Sequence, residues 1–527
     1  MPQRTWDKGY DVVNETLRDI RSLLPVVVVA ALFAFVMLFI ASEGGVRIWV
    51  VVLGLAAIAI GAYLSGNVRL FSLWGLILTL PFDLSYRLGP VYQKLGGETS
   101  FRIEVSDPFW LVLLAYLARD LWTGTLRGVR IPKVTYWWLA IMMMGMGAVT
   151  FGPWRLTALH EVVRMVKVML IFIVVCNELK TPERFIQVAA ALCVALIIQS
   201  MAGIAQFVTG GPLGLRILGE ADVVLTNVAV RSASVMRIGA FMVHPVLFAI
   251  FLATILPIAM GMVLLPLGKG RRLLFIVTIL LGVPSLILTL SRAGWLDFSV
   301  SSTVLAVLIL LHPRLRRRAV IPVVGIGAVL VVVAAAFAGP IMARIYDSTS
   351  YSAQGRDEWR RDALRLVEVK PIFGWGLNSY VFAVPPFTRF GARGARELYE
   401  KARFGGAQFV PAVHNGYLTW LAEIGIVGLA LHLAMFASLI LTGFRNMRVR
   451  NEYLYVINVA CIASLFAILV DLNFANALRQ GSILREFWVL AALICGVHYW
   501  RLRNEPQVQR PVAAKPASPV GDAAAGK

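Results

Sequence analysis

GRDEWRRDALRLVEVKPIFGWG, residues 355–376, and HNGYLTWLAEIGIVG, residues 414–428, bound the one long hydrophilic break in an otherwise apolar chain. In the first piece Trp359, Ala363, Leu366 and Val367 fall on one face at helical spacing. Arg356, Arg360, Arg361 and Arg365 crowd the other faces, Asp357 and Glu358 suit a first turn, and Pro371 ends the run. This pattern predicts a short amphipathic helix lying on a membrane surface. The second piece places His414 and Asn415 where a long apolar helix begins. Cationic side chains and one imidazole are thus gathered at a membrane boundary, and the chemistry is expected there.

Working outward, the 527 residues are 59% hydrophobic, with a mean hydropathy of +0.76. A water-soluble fold cannot hide that much apolar surface, so an all-α polytopic membrane protein is expected. Residues 1–21 are polar and amphipathic, and no small-residue cleavage site follows the first apolar run, which is expected to stay as a membrane helix. The formal net charge is +21. Most of the basic residues sit in short loops between apolar runs, where they set orientation, and no nucleic-acid reading motif accompanies them. Cys176, Cys193, Cys461 and Cys495 all lie inside apolar runs and read as small core residues, not as a disulfide framework or a metal site.

About fourteen candidate spans of roughly 17–25 residues can be laid out. They begin near Ser22, Val46, Val68, Asp107, Val134, Leu156, Glu183, Gly239, Arg271, Arg292, Ala319, His414, Glu452 and Ile483. This divides the chain into an N-terminal segment (1–21), eleven spans (22–339), a large outer loop with an interfacial helix (340–413), three further spans (414–500) and a Pro/Ala-rich tail (501–527) read as disordered. Loop charge places one set of loops, with both termini, in the cytoplasm; it carries Arg127, Lys180, Arg271, Arg317 and Arg448 among others. On the other side fall Arg231 and Arg237, the turn at Arg292, the segment around Arg356, and His414. Few cations are expected on that face, so these call for an anionic partner, in protein or in substrate. In the sixth span His160, Arg164 and Lys167 share a helical face, and Glu161 can pair with Arg164. That face is either an internal ion pair with another helix or the polar wall of a substrate cavity.

Nucleophile-elbow, clustered metal-ligand and P-loop or dinucleotide patterns are absent from the sequence. Arginines and a histidine remain. Arginine suits bidentate binding of phosphate and diphosphate, and histidine suits proton removal near neutral pH. At a helix start among arginines, His414 is expected to be neutral, as a general base requires; otherwise it caps the helix. Arg292 alternatively snorkels as an interfacial anchor, and Arg356 alternatively pairs with Asp357, Glu358 or Asp362. His244, before Pro245, reads as structural.

Taken in order, RIGAFMVHPVLFA from Arg237, SRAGWL from Ser291, GRDEWRRDAL from Gly355, PIFGWG from Pro371 and HNGYLTWLAEIGIVG from His414 resemble the O-antigen ligase and O-antigen polymerase superfamily of bacterial membrane glycosyltransferases. The Arg-three-residues-Leu motif is matched by Arg292 to Leu296 and the His-ten-residues-Gly motif by His414 to Gly425. The resemblance implies a membrane-embedded glycosyltransferase fold that uses neither metal nor cofactor. It implies a site at the periplasmic face of the bacterial inner membrane and a donor glycan on undecaprenyl pyrophosphate. The acceptor is either another lipid-linked repeat unit, in a polymerase, or lipid A-core, in a ligase; related members modify proteins. Joined to the residue reading, it assigns His414 as base and Arg292 and Arg356 as catalytic clamps on the leaving group. Arg231, Arg237, Arg360, Arg164 and Asn415 become substrate-binding candidates. Membrane lipids and polysaccharide-assembly proteins are the further partners expected. The basic insert FTRFGARGARELYEKARFGG, residues 387–406, grips an acidic polysaccharide or a neighbouring protein, or is a solvated loop. A transporter or flippase is the rival class, expecting paired broken helices in two related halves.

Overall fold

The computed structural model describes residues 60–61, 64–82, 84–88, 97–98, 100–215, 218–220, 227–230, 233–242, 244–318, 351–385 and 413–505. The expected spans near Ser22, Val46 and Ala319, residues 1–21, the basic insert and nearly all of the tail lie outside these residues. The other expected spans each coincide with a helix: α1 (Val68–Thr79), α2 (Asp107–Trp122), α3 (Val134–Phe151), α4 (Arg155–Glu178), α5 (Pro182–Thr209), α6 (Pro245–Val263), α7 (Lys269–Leu288), α8 (Arg292–Leu310), α11 (Gly416–Asn446), α12 (Glu452–Asp471) and α13 (Gly481–Asn504). Between α8 and α11 stand α9 (Tyr351–Val369) and the single turn α10 (Tyr380–Ala383). Eight of these helices, α3, α5 to α8 and α11 to α13, are long and apolar enough to cross a membrane.

The centre of the bundle is α6, apolar on all sides and buried without interruption from Phe248 to Met262. A helix greasy all round has no solvent face to offer, so it takes the middle position. The neighbouring helices alternate in direction, and this sorts the loops. Arg271 meets Glu183, Arg318 meets Glu452 at 3.2 Å, Lys180 meets Asp120 at 3.2 Å, and the Tyr453 hydroxyl donates to Pro266 O. All these contacts join basic loops at one end of the bundle. The turn at residues 289–291, the segment 237–242, α9 and His414 lie at the other.

Two departures from plain α-helix matter for the site. The first is a re-entrant hairpin, β1 (Ser85–Leu88) paired antiparallel with β2 (Phe101–Glu104), between the short α1 and α2. It is a polar insertion, and α1 ends early because Arg485 of α13 takes over its last carbonyls, donating to Leu80 O at 3.0 Å and Phe82 O at 3.2 Å. Glu104 at the end of β2 is buried, which alone would raise its pKa. Arg485 and Lys167 beside it outweigh that and hold its carboxyl down at about 2.

The second is a break in α11 at Gly425, whose backbone (φ 65, ψ −170) only glycine adopts freely. The gap is filled by PIFGWG. Pro371 O and Ile372 O accept the freed Ile426 and Val427 N–H groups at 2.8 and 3.3 Å. Trp375 and Gly376 N–H groups donate to Ala422 O and Glu423 O at 3.1 and 2.7 Å. Neither Gly425 nor Gly374 has room for a Cβ, since each lies on the backbone of the opposite segment. The two sequence motifs are therefore the two halves of one joint.

The expected surface helix is present as α9, but its apolar face does not lie on the membrane. Ala363 and Leu366 are fully buried, and with Trp359 and Val367 they pack on Trp154, Tyr380–Val384, Val413 and Ala422. A protein surface has taken the place expected for lipid, because the joint at Gly425 pins the end of α9 onto α11. The apolar residues left exposed there are Leu364 and Val369 on α9 and Ile372 and Phe373 on the turn that follows.

Candidate functional site

His414 is held from behind. Asn415 caps α11, its side chain accepting from Leu418 N at 2.9 Å while its amide donates to Asn473 O at 3.3 Å. Gly416 N donates to Leu472 O at 2.7 Å, Asn476 donates to Val413 O, and Thr419 donates to Asn476 Oδ1 at 3.0 Å. The segment after α12 thus fixes the backbone on either side of His414, and the imidazole is left exposed. The Trp359 ring of α9 lies against it, centroid to centroid 5.3 Å. That contact brings α9, with Arg360 and Arg361 exposed on its outer faces, to the histidine.

Arg237, His244 and Arg292 come to the same end by another route. Residues 237–242 run as a buried, non-helical segment of chain laced to α5. Gln206 Oε1 accepts Ala240 N at 2.9 Å, and Gln199 Oε1 accepts Phe241 N at 3.0 Å. On its other side Arg237 Nε donates to Thr289 O at 2.7 Å and Ile238 N to Leu288 O at 3.3 Å, so the segment lies along the turn that leads into α8. Ser291 caps α8 through Gly294 N, and Arg292 is its first residue. Gly294 presses on Ala249 with no room for a side chain, which sets the starts of α6 and α8 together. His244 caps α6, its Nδ1 accepting from Val246 N at 3.1 Å. Its electrostatic surroundings include Arg237 and His414, which ties the two arms of the site into one place. Beneath, the buried carboxyls of Asp297 on α8 and Asp471 at the end of α12 come against each other.

Charge is distributed unequally between this place and the interior. Inside, Arg164, Arg479, Arg485, Arg102 and Lys167 are matched by Glu161, Glu423, Glu98, Glu104 and Asp107, five cations against five carboxylates. Lys167 Nζ lies 2.7 Å from Glu104 and 2.6 Å from Asp107, and Arg479 bridges Glu161 to Glu423. Such matching is what makes charge tolerable in a dry interior. At the other place, among the described residues, Arg292 and Arg360 have no carboxylate partner, while Arg361 acts on Asp362 beside it.

The structure therefore brings Arg237, Arg292, Arg360, His414 and Asn415 to one end of the bundle. Arg356 is on α9 one turn before Trp359, with its side chain outside the described residues, as is Arg231 altogether. Arg164 is elsewhere. Of the two alternatives for the α4 face, the ion pair is the one found: its guanidinium is engaged by Glu161, Glu98 and the Arg479 carbonyl. The same pairs line an interior cleft with Trp420 and His432. Sequence reasoning missed Gln199 and Gln206, the Asp297–Asp471 pair and the Glu423–Arg479 pair. Each is a polar or ionisable residue inside an apolar run, the kind of signal that marks a partner or a cavity. His244, read as structural, does serve as the cap of α6.

Residues 276–433 match the family model described as O-antigen ligase. No curated protein matches the chain. The matched segment holds Arg292, all of α9, the PIFGWG turn, His414 and the Gly425 break. Over residues 276–433 the chain is thus similar to an O-antigen ligase/polymerase family domain.

Proposed function

We propose that the protein polymerises polysaccharide repeat units carried on undecaprenyl pyrophosphate, acting at the periplasmic face of the bacterial inner membrane without a metal. The observation that carries this reading is that Arg292 and Arg360, without carboxylate partners among the described residues, stand at the bundle end that holds His414, away from the basic loops. By the charge rule those loops face the cytoplasm, so the arginines face out.

In this mechanism Arg292 and Arg356, helped by Arg231 or Arg237, bind the diphosphate. The acceptor hydroxyl attacks the anomeric carbon from the opposite side and inverts it. The bond from that carbon to the phosphate oxygen breaks, and the oxygen keeps the electron pair. The guanidinium groups stabilise the charge that grows on it. His414 takes the hydroxyl proton. Asn415 holds the helix start beneath the histidine. Trp359 limits the ring's freedom from the α9 side.

The test is incubation of purified protein with lipid-linked repeat units, with and without lipid A-core. A ladder formed without core supports polymerisation. A single-step product that needs core makes the protein a ligase instead, and no new covalent bond at all would favour a transporter.

A further inference from the structure

His244 fills two roles with one ring. Its Nδ1 accepts the Val246 N–H at 3.1 Å, so that nitrogen must present its lone pair. In the neutral ring the proton is then on Nε2, as a donor. Nε2 has no partner among the described residues, and the ring is only partly covered. The chain has gone to some length to fix this position. Residues 237–242 are pinned by two α5 glutamines and by the turn before α8, and Pro245 then sets the first turn of α6.

We infer that His244 is a substrate-binding residue that donates a hydrogen bond from Nε2 to an oxygen of the leaving diphosphate, beside Arg237 and His414. This rests on the proposed function above and adds a residue to its site. The ring stays neutral as the role requires: burial, then Arg237, then His414 push its pKa down to about 4. A neutral donor differs from a third cation in one respect. It hydrogen-bonds the diphosphate without adding positive charge beside His414, which must itself remain unprotonated to act as base.

Substitutions at a helix cap separate the two roles. His244→Asn keeps an acceptor for Val246 N and an amide donor; His244→Asp keeps the acceptor but presents no donor. The measurement is the affinity of each purified full-length protein for undecaprenyl diphosphate, alongside its melting temperature and its transfer rate with lipid-linked repeat units. With all proteins melting alike, His244→Asn is expected within about threefold of the parent and His244→Asp weaker by at least about tenfold. Equal affinities for the parent, the Asn and the Asp proteins would reduce His244 to a cap and overturn the inference while leaving the proposed function standing. A parent protein that neither binds undecaprenyl diphosphate nor forms product would instead remove the proposed function.

Discussion

Gly425→Ala tests the joint that positions His414. The added methyl would enter the backbone of Ile372 and Phe373, atoms that cannot rotate aside. A non-glycine residue in that backbone region also carries strain of about 1–3 kcal/mol. Relief requires the PIFGWG turn to back out, and four backbone hydrogen bonds cross the joint: Trp375 to Ala422, Gly376 to Glu423, Ile426 to Pro371 and Val427 to Ile372. At about 0.5–1.5 kcal/mol each, losing two of them with the strain gives a total of about 2–6 kcal/mol. That is a large part of the stability of an ordinary domain, about 5–15 kcal/mol. Alanine also favours a continuous helix, which would swing residues 416–424 and their histidine away from α9. The assay is thermal unfolding in detergent together with product formation at a temperature where the variant is folded. A lower melting temperature and a lost Trp359–His414 contact, read from tryptophan fluorescence, are expected. A variant with parental melting and parental transfer would refute the claim that the break holds the site in place.

Three other outcomes follow from the same geometry. Arg292→Lys should fold normally and lose most of its transfer, since a point charge cannot replace a bidentate fork; His414→Ala should fold and form no product, and normal product from it would remove the base assignment. Arg479→Met alone should destabilise by about 3–5 kcal/mol, because it leaves the buried Glu423 without its cation while Glu161 keeps Arg164, whereas the double change with Glu423→Gln should recover part of the loss; additive melting shifts would count against the pair. The Glu104 carboxyl, depressed to about 2 from its ordinary value of 4.5, contributes stability that is present above pH 4.5 and fades as pH falls toward 2. Glu104→Gln should flatten that acid limb, and an unchanged limb in acid titrations would show that another group carries it.

Helices were legible where apolar runs are punctuated. Val68, Asp107, Val134, Arg292 and Glu452 were expected starts and begin helices in the structure. Local residues dictate these starts, with Asn67, Ser291 and Asn451 serving as side-chain caps. The start of α6 was misplaced from near Gly239 to Pro245 because residues 239–244 are as apolar as a helix. Ala240 and Phe241 in this stretch are instead held in a turn by Gln206 and Gln199, some forty residues away. The same non-locality hid the joint. Nothing near Gly425 announces that PIFGWG will enter the helix, although both motifs were singled out. The α9 pattern was read correctly and its surroundings were not, since amphipathicity says that a face is buried and not what buries it.

The interior ion network also constrains how the chain is made. Glu161, Arg164 and Lys167 leave the ribosome long before the carbonyl of Arg479, which is 315 residues further on than Arg164. At a synthesis rate of roughly 5–20 residues per second, that interval is on the order of tens of seconds. During it the α4 segment must be kept from the lipid by what already exists, the acids Glu98, Glu104 and Asp107 of the hairpin that precedes it. These early acids would then serve nascent protein as an internal escort, keeping Lys167 throughout and sharing Arg164 with the Arg479 carbonyl only when the last helices arrive.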